Sequence, residues 1–276
     1  MKKILFIIAL IAGNLAFAQT LTTPQPSTTQ TVTQNFGLSS IELSYSRPNA
    51  KGRAVIGGLV PFGKVWRTGA NSATTLTFGD EVTIGGKKMA AGKYGLLSIP
   101  DKDNWILIIT KQLDVTSPAA YKEESDVVRV NVKPVSIADK VETFTIQFTN
   151  VKPTTCDLNL QWENTSVTLP ISTDVDSKVM AQIKDVMTKD NLPYYSAAMY
   201  YMDNGKDLNQ ALVWFNKATE QNPTAFYIFY QKANCLAKLG KKQEAIAAST
   251  KSLELATAAK SADYVKLNED LLKSLK

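Results

Sequence analysis

The side chains best equipped for chemistry crowd into one short run, "GGLVPFGKVWRTGANSAT", residues 57–74. It sets Lys64 and Arg67 on either side of Trp66, with Asn71 just beyond and a further cation, Arg53, just upstream. Trp66 offers a flat apolar face on which a sugar ring or a cation stacks. Arg53 and Arg67 grip an anion with a planar fork, Lys64 as a point charge. Asn71 adds directional hydrogen bonds, and the neighbouring glycines let the backbone approach closely. A glycan or another anionic ligand suits these groups. The same residues read equally well as structure. A loop this long must satisfy its own backbone, so the arginines donate to loop carbonyls, Trp66 plugs the end of a β-fold, and Pro61, Gly63 and Gly69 set turns. Long loops on rigid β-scaffolds often carry function, and the sequence leaves both readings open.

Other chemistry is thinly supplied. The chain has no histidine, which removes Ser-His-Asp and Cys-His machinery, imidazole-based zinc sites and the one side chain that titrates near neutrality unaided. Paired carboxylates occur at Asp80 and Glu81 and at Asp101 and Asp103, the residue type that glycoside hydrolysis needs. A glycan-acting hydrolase is therefore the alternative function. Both pairs sit in polar, turn-like segments where acids are normally just solvated, and Asp101 and Asp103 lack the further oxygen ligands of a calcium loop. No catalytic residue, metal or cofactor is expected. Cys156 and Cys235 read as two separate buried thiols rather than a disulfide.

The first residues set the compartment. Lys2 and Lys3, the apolar stretch that follows and Ala16-Phe17-Ala18 form a secretory signal peptide, residues 1–18. Its apolar part falls short of the roughly 20 residues a membrane span needs, and no later stretch qualifies. The mature chain is expected to be periplasmic or secreted, without a transmembrane segment. Losing Lys2 and Lys3 lowers the formal charge from +6 to +4, with both signs interspersed. That balance speaks to solubility and not to a nucleic-acid partner. Residues 19–36, rich in Thr, Gln and Pro and uncharged, read as a flexible lead-in.

The elements that must position the loop follow from periodicity. Over residues 37–171 the period is two: Ile41, Leu43 and Tyr45 share a face, as do Phe144, Ile146 and Phe148. "TTLTF", "DVVRVNV", "DLNLQW" and "TSVTLPI" alternate likewise, while "YGLLSI" and "WILIIT" are apolar on both faces and belong centrally. Gly85-Gly86 reads as a hairpin turn, and "PDKDN" links the two apolar runs. About eight to ten such strands predict an antiparallel sandwich or jelly-roll-like barrel.

Over residues 172–276 the period becomes 3.6. Thr173 or Asp174 is placed to cap a helix with the stripe Val175, Val179, Ile183, Val186 and Met187. Ala211, Phe215, Ala218 and Pro223 are matched 34 residues later by Ala245, Ser249 and Ser252, and more loosely by Thr257. Residues 194–256 thereby resemble the tetratricopeptide repeat, a helix pair of that length. Phe229 and Tyr195 stand where Trp is usual, Met199 replaces a small residue and Ser249 an aromatic. Two repeats need capping helices, giving an all-α unit of about six. In such arrays the first helices line a concave face, which makes Tyr200, Tyr227, Tyr230 and Asn234 the residues expected to contact a protein or peptide partner; packing within the core is the competing reading.

The combination R-P-x-x-K-G-R, "GGLVPFGKVWRTGAN" and "AGKYGL" resembles domain of unknown function 2911, a family of secreted bacterial proteins, over residues 41–171. The resemblance implies an exported β-rich domain, often followed by helical repeats, and supplies no activity. Its signature falls on Arg47, Pro48, Lys51, Gly52, Arg53, Gly58, Pro61, Gly63, Lys64, Trp66, Arg67, Gly69, Asn71 and Thr74. The expectation is a non-enzymatic binding or scaffold protein of the bacterial envelope. Its β-domain takes a glycan or anionic ligand, and its helical tail makes protein contacts.

Overall fold

A computed structural model describes residues 23–188 and 192–276; the expected signal peptide lies outside the described residues. The chain divides into two compact units, Met1–Val175 and Asp176–Lys276; among the described residues the first is built of strands and the second of helices. Among the described residues no helix is long and apolar enough to cross a membrane.

Among its described residues the β-unit has ten strands: β1 (Thr28–Phe36), β2 (Ser39–Arg47), β3 (Thr74–Phe78), β4 (Val82–Ile84), β5 (Lys87–Met89), β6 (Gly92–Ile99), β7 (Trp105–Thr110), β8 (Asp126–Val132), β9 (Val135–Thr149) and β10 (Thr155–Ser172). They form a six-stranded sheet, β1-β2-β3-β6-β7-β8, and a four-stranded sheet, β5-β4-β10-β9. All pairings are antiparallel. The alternation works as expected: Ile41, Leu43 and Tyr45 from one sheet and Phe144, Ile146, Leu158 and Leu160 from the other share one core.

The doubly apolar strands β6 and β7 lie inside the larger sheet. Leu96, Leu107 and Ile109 face the main core. On the opposite face Leu97 and Ile108 pack with Val115, Val65 and Tyr121 in a second, smaller cluster. Val115 and Tyr121 belong to the connection between β7 and β8, residues 111–125, which crosses that outer face as a strap.

Two expectations need correction. Residues 28–36 are no flexible lead-in but the edge strand β1, in register with β2 along its whole length. An edge strand needs only one half-buried face and one set of ladder bonds, so β-branched Thr and Val suffice, with Phe36 buried as the anchor. The expected helix cap Thr173 instead serves the β-unit, donating its hydroxyl to the Glu81 carbonyl at 2.8 Å. "DLNLQW" and "TSVTLPI" are the two halves of β10. Asn159 Nδ2 donates to Ser166 Oγ at 2.9 Å and to Thr168 Oγ1 at 3.0 Å, although an extended run of that length would separate them by about 20 Å. The strand therefore doubles back, around Glu163 with φ 49°.

The helical unit contains α1 (Asp176–Val186), α2 (Tyr194–Asp203), α3 (Leu208–Gln221), α4 (Phe226–Lys238), α5 (Lys242–Ala258) and α6 (Ala262–Ser274). Asp207 caps α3 by accepting the Asn209 N–H at 2.8 Å. The matched small residues Ala211 and Ala245 are both fully buried, as are Phe215 and its counterpart Ser249. Where the aromatic ring is missing, a polar network fills in. Ser249 Oγ donates to Asn268 Oδ1 at 3.0 Å, and Asn268 Nδ2 donates to Ser252 Oγ at 2.9 Å and to the Tyr264 carbonyl at 2.7 Å. This ties α5 to α6.

Candidate functional site

The signature loop starts as a seam between the two sheets. Beyond β2 the chain leaves the larger sheet and pairs with the outer edge of β9: the Phe144 N–H donates to Pro48 O and the Ala50 N–H to Glu142 O, both at 2.8 Å. Arg47 reinforces the seam, with Nε donating to Phe144 O at 3.2 Å and Nη2 to Thr145 Oγ1 at 2.9 Å. Tyr45 adds a double contact: its hydroxyl accepts the Ile146 N–H at 2.9 Å and donates to Ile146 O at 3.1 Å. Burial pushes the Tyr45 phenol above its ordinary pKa, which keeps it neutral and able to do both.

The loop then turns tightly. Gly57, φ 83°, leaves no room for a side chain, because a Cβ there would sit 2.3 Å from the Phe62 ring. Val55 N–H donates to Glu163 Oε2 at 2.7 Å, fastening the loop to the bend of β10. Trp66 pairs with Ser98 of β6 through both backbone bonds, 2.7 and 2.9 Å. Its indole N–H donates to Gly69 O at 3.0 Å. Its ring stacks on Trp162, centroids 5.6 Å apart, and meets Phe144 edge-on at 4.9 Å. Trp66 thus packs against the main core as a plug. Thr68 closes the corner, its hydroxyl donating to Ser98 Oγ at 2.9 Å and its carbonyl accepting from Thr74 Oγ1 at 2.7 Å.

These contacts sort the expected ligand residues. Arg53 donates to Ala50 O at 2.9 Å and Asn49 O at 2.8 Å, so two of its donors serve the loop. Asn71 donates to Ser27 O at 3.0 Å. Lys64, Trp66 and Arg67 do come together: with Leu59, Pro61 and Pro118 they line a cavity of about 250 Å³, outside which Arg53 and Asn71 lie. Arg67 Nη1 donates to Thr116 O at 2.7 Å. Its Nε is buried and has no partner.

Sequence reasoning missed the far wall, which the strap provides through Pro118, while its Thr116 carbonyl holds Arg67. The strap is pinned at its end by a cluster in which the Tyr121 hydroxyl donates to Asp126 Oδ2 at 2.5 Å, Arg129 Nε donates to the same oxygen at 2.8 Å, and Arg129 Nη2 donates to the Tyr121 hydroxyl. Burial first, then the bond to Asp126, pushes the Tyr121 phenol up to about 12. From the sequence no role was expected of Tyr121, Asp126 or Arg129.

The carboxylate pairs stand apart from this cavity. Asp101 and Asp103 line a separate hollow of about 240 Å³ with Ile99, Asn104 and Ile106, and Asp101 accepts the Lys102 N–H at 2.7 Å. Asp80 accepts the Glu81 N–H at 2.7 Å, and Glu81 pairs with Lys88 at 3.2 Å. A larger cavity of about 580 Å³ opens beside β8 and β10; its lining is largely apolar and carries one cation, Lys133, and one anion, Asp157. Cys156, also in that lining, is held up at about 11, by burial first and then by Asp157.

In the helical unit Tyr200 donates to Asp176 Oδ1 at 2.9 Å, beside a Lys206 to Asp176 bridge of 2.8 Å. It therefore ties α2 to α1. Lys206, then Tyr200, holds the Asp176 carboxyl below its ordinary pKa. Tyr227 is 38 % exposed and meets Tyr195 edge-on at 5.4 Å; Tyr230 meets Tyr264 at 5.7 Å. Asn234 donates to Gln231 Oε1 at 3.3 Å.

Fold and site together define a two-unit protein with a sutured β-sandwich, a cationic and aromatic corner pocket, and a six-helix unit. The chain belongs to the DUF2911 family, proteins of unknown function, whose family model matches residues 27–171. The match covers the β-unit, begins at the foot of β1 and ends before the helices. No curated protein and no solved structure matches the chain.

Proposed function

We propose that this is an exported, non-enzymatic binding protein of the bacterial envelope, and that its β-unit holds an anionic group of a glycan in the pocket beside Trp66. The observation that carries the reading is a cavity that brings the Arg67 side chain together with Lys64 and an indole. Arg67 spends one guanidinium donor on Thr116 O, and its planar fork suits a carboxylate or phosphate better than a neutral group. The cavity is smaller than the roughly 300–1,000 Å³ of drug-sized sites, which suits one ring or a terminal group of a longer polymer. The periplasm or the cell exterior is where a signal peptide would deliver the protein to such polymers, and the helical unit, with its tetratricopeptide-like pairing, is left for protein contacts.

The test is calorimetric titration of the mature protein with uronate-bearing and neutral oligosaccharides of equal length. Binding of the acidic series, weakened by salt as charge screening requires and lost in Arg67→Ala at unchanged thermal midpoint, supports the proposal. Equal binding of both series, or none, overturns it. Hydrolysis of either series would favour the carboxylate-based alternative.

A further inference from the structure

A sheet edge exposes a row of unpaired backbone donors and acceptors, and natural proteins guard such edges with charge, proline, bulges, short length or a covering segment. Three of the four edges in the β-unit are guarded in these ways. The edge of β9 is covered from Glu142 to Ile146 by Pro48, Asn49 and Ala50 and by the Tyr45 hydroxyl, and it carries the charges of Asp139 and Lys140 before that. That of β5 is three residues long and carries two lysines. That of β8 has a register irregularity opposite Ile109 and Thr110, and Lys87 Nζ caps its Val127 carbonyl at 2.6 Å.

The fourth edge, β1, has none of these devices over Thr28–Gln34; only the Asn35 carbonyl near its end is taken, by Gln34 Nε2 at 2.9 Å. It is nine residues long, reads "TTQTVTQNF" and contains no charge, proline or glycine. It runs in unbroken register with β2 and, among the described residues, pairs with β2 alone. Its sequence is also close to a palindrome about Val32. Thr31 mirrors Thr33, Gln30 mirrors Gln34, and Thr29 mirrors Asn35.

We infer that β1 is a self-association edge, pairing antiparallel with the β1 of a second copy of this chain across a twofold axis centred on Val32. A twofold antiparallel pair sets each residue opposite its mirror image, so Thr31 faces Thr33 of the second copy and Gln30 faces Gln34. Thr–Thr pairs are favourable cross-strand neighbours, and uncharged strands bring no like charges together in a chain of formal charge +6. A peptide with a different sequence would lose that mirrored match, which is why a second copy is the fitting occupant. One strand pair buries less than the standard interface of about 1,600 Å², so the dimer is expected to be concentration-dependent.

Disulfide trapping and sedimentation test this together. The native thiols, Cys156 and Cys235, are buried, so a cysteine placed on β1 reports alone. Directly opposed residues sit about 4.5–5.5 Å apart between Cα atoms, within disulfide reach. Val32→Cys is therefore expected to cross-link under mild oxidation. Thr31→Cys alone should cross-link at least tenfold more slowly, and Thr31→Cys mixed with Thr33→Cys should recover the fast rate. In the cysteine-unmodified protein, the double change Thr31→Lys with Thr33→Lys sets like charges opposite each other at exposed positions, so dimer should disappear from sedimentation profiles while the thermal midpoint of the monomer holds. A wild-type protein that stays monomeric at all concentrations, cross-linking with no preference for position 32, or a dimer indifferent to the lysines overturns the inference.

Discussion

At the scale of single residues, the loop's polar groups divide by whether a backbone carbonyl has already taken them. Trp66 is fully engaged, its N–H on Gly69 and its ring on Trp162 and Phe144. Trp66→Ala is therefore expected to destabilise the β-unit by about 3 kcal/mol, read as a lower urea midpoint. Arg67→Ala gives up one bond to Thr116 but also removes an orphaned buried donor, so its stability change should stay within about 1 kcal/mol. Tyr45→Phe leaves both the N–H and the carbonyl of Ile146 without the hydroxyl and should cost about 1–3 kcal/mol in the same denaturation. Sequence could name the cations and the indole but not their allegiances. Whether Arg53 faces a ligand or Ala50 O depends on where a turn brings a carbonyl, and residue type does not encode that.

At the scale of elements, strands with a strict inward and outward alternation were legible, because the same burial that stabilises them writes the pattern. The two faces of β6 and β7 were legible too, although the strap that covers the outer one was not. That strap carries only scattered apolar residues, Val115 and Tyr121. Strand β1 was missed for a related reason: its ladder to β2, not side-chain burial, gives it order. The strap's anchor has a pH signature. Tyr121 is raised from 10 to about 12 in the folded state, so its contribution is complete below pH 10, where both states are protonated, and is lost as pH rises from 10 through 12 while the unfolded chain ionises first. Stability should fall across that window in wild type and less steeply in Tyr121→Phe. Within the helical unit the buried Asn268 stands in for an aromatic contact. Asn268→Ala leaves the Ser249 hydroxyl only its long bond to the residue 268 carbonyl and takes one partner from Ser252, which still donates to Phe226 O; it should cost about 1–3 kcal/mol, seen as early melting of far-UV helical signal.

At the scale of the whole molecule, each unit has its own core, and the family match is confined to the β-unit. The division was readable from the change of period after Pro170. The function was not, because the same signature residues both build the corner and leave a pocket in it. In the function proposed above, an anion on Arg67 completes this pocket. The measurement that tests it most directly is the ¹H–¹⁵N spectrum of the arginine side chains during titration with a uronate disaccharide, the Arg67 Nε–H signal being assigned by its absence in Arg67→Lys. That one signal should move as the guanidinium takes the carboxylate, saturating with the bound fraction, while the Arg47 and Arg53 signals stay in place. An Arg67 Nε–H that stays unchanged at saturating ligand would contradict the proposal.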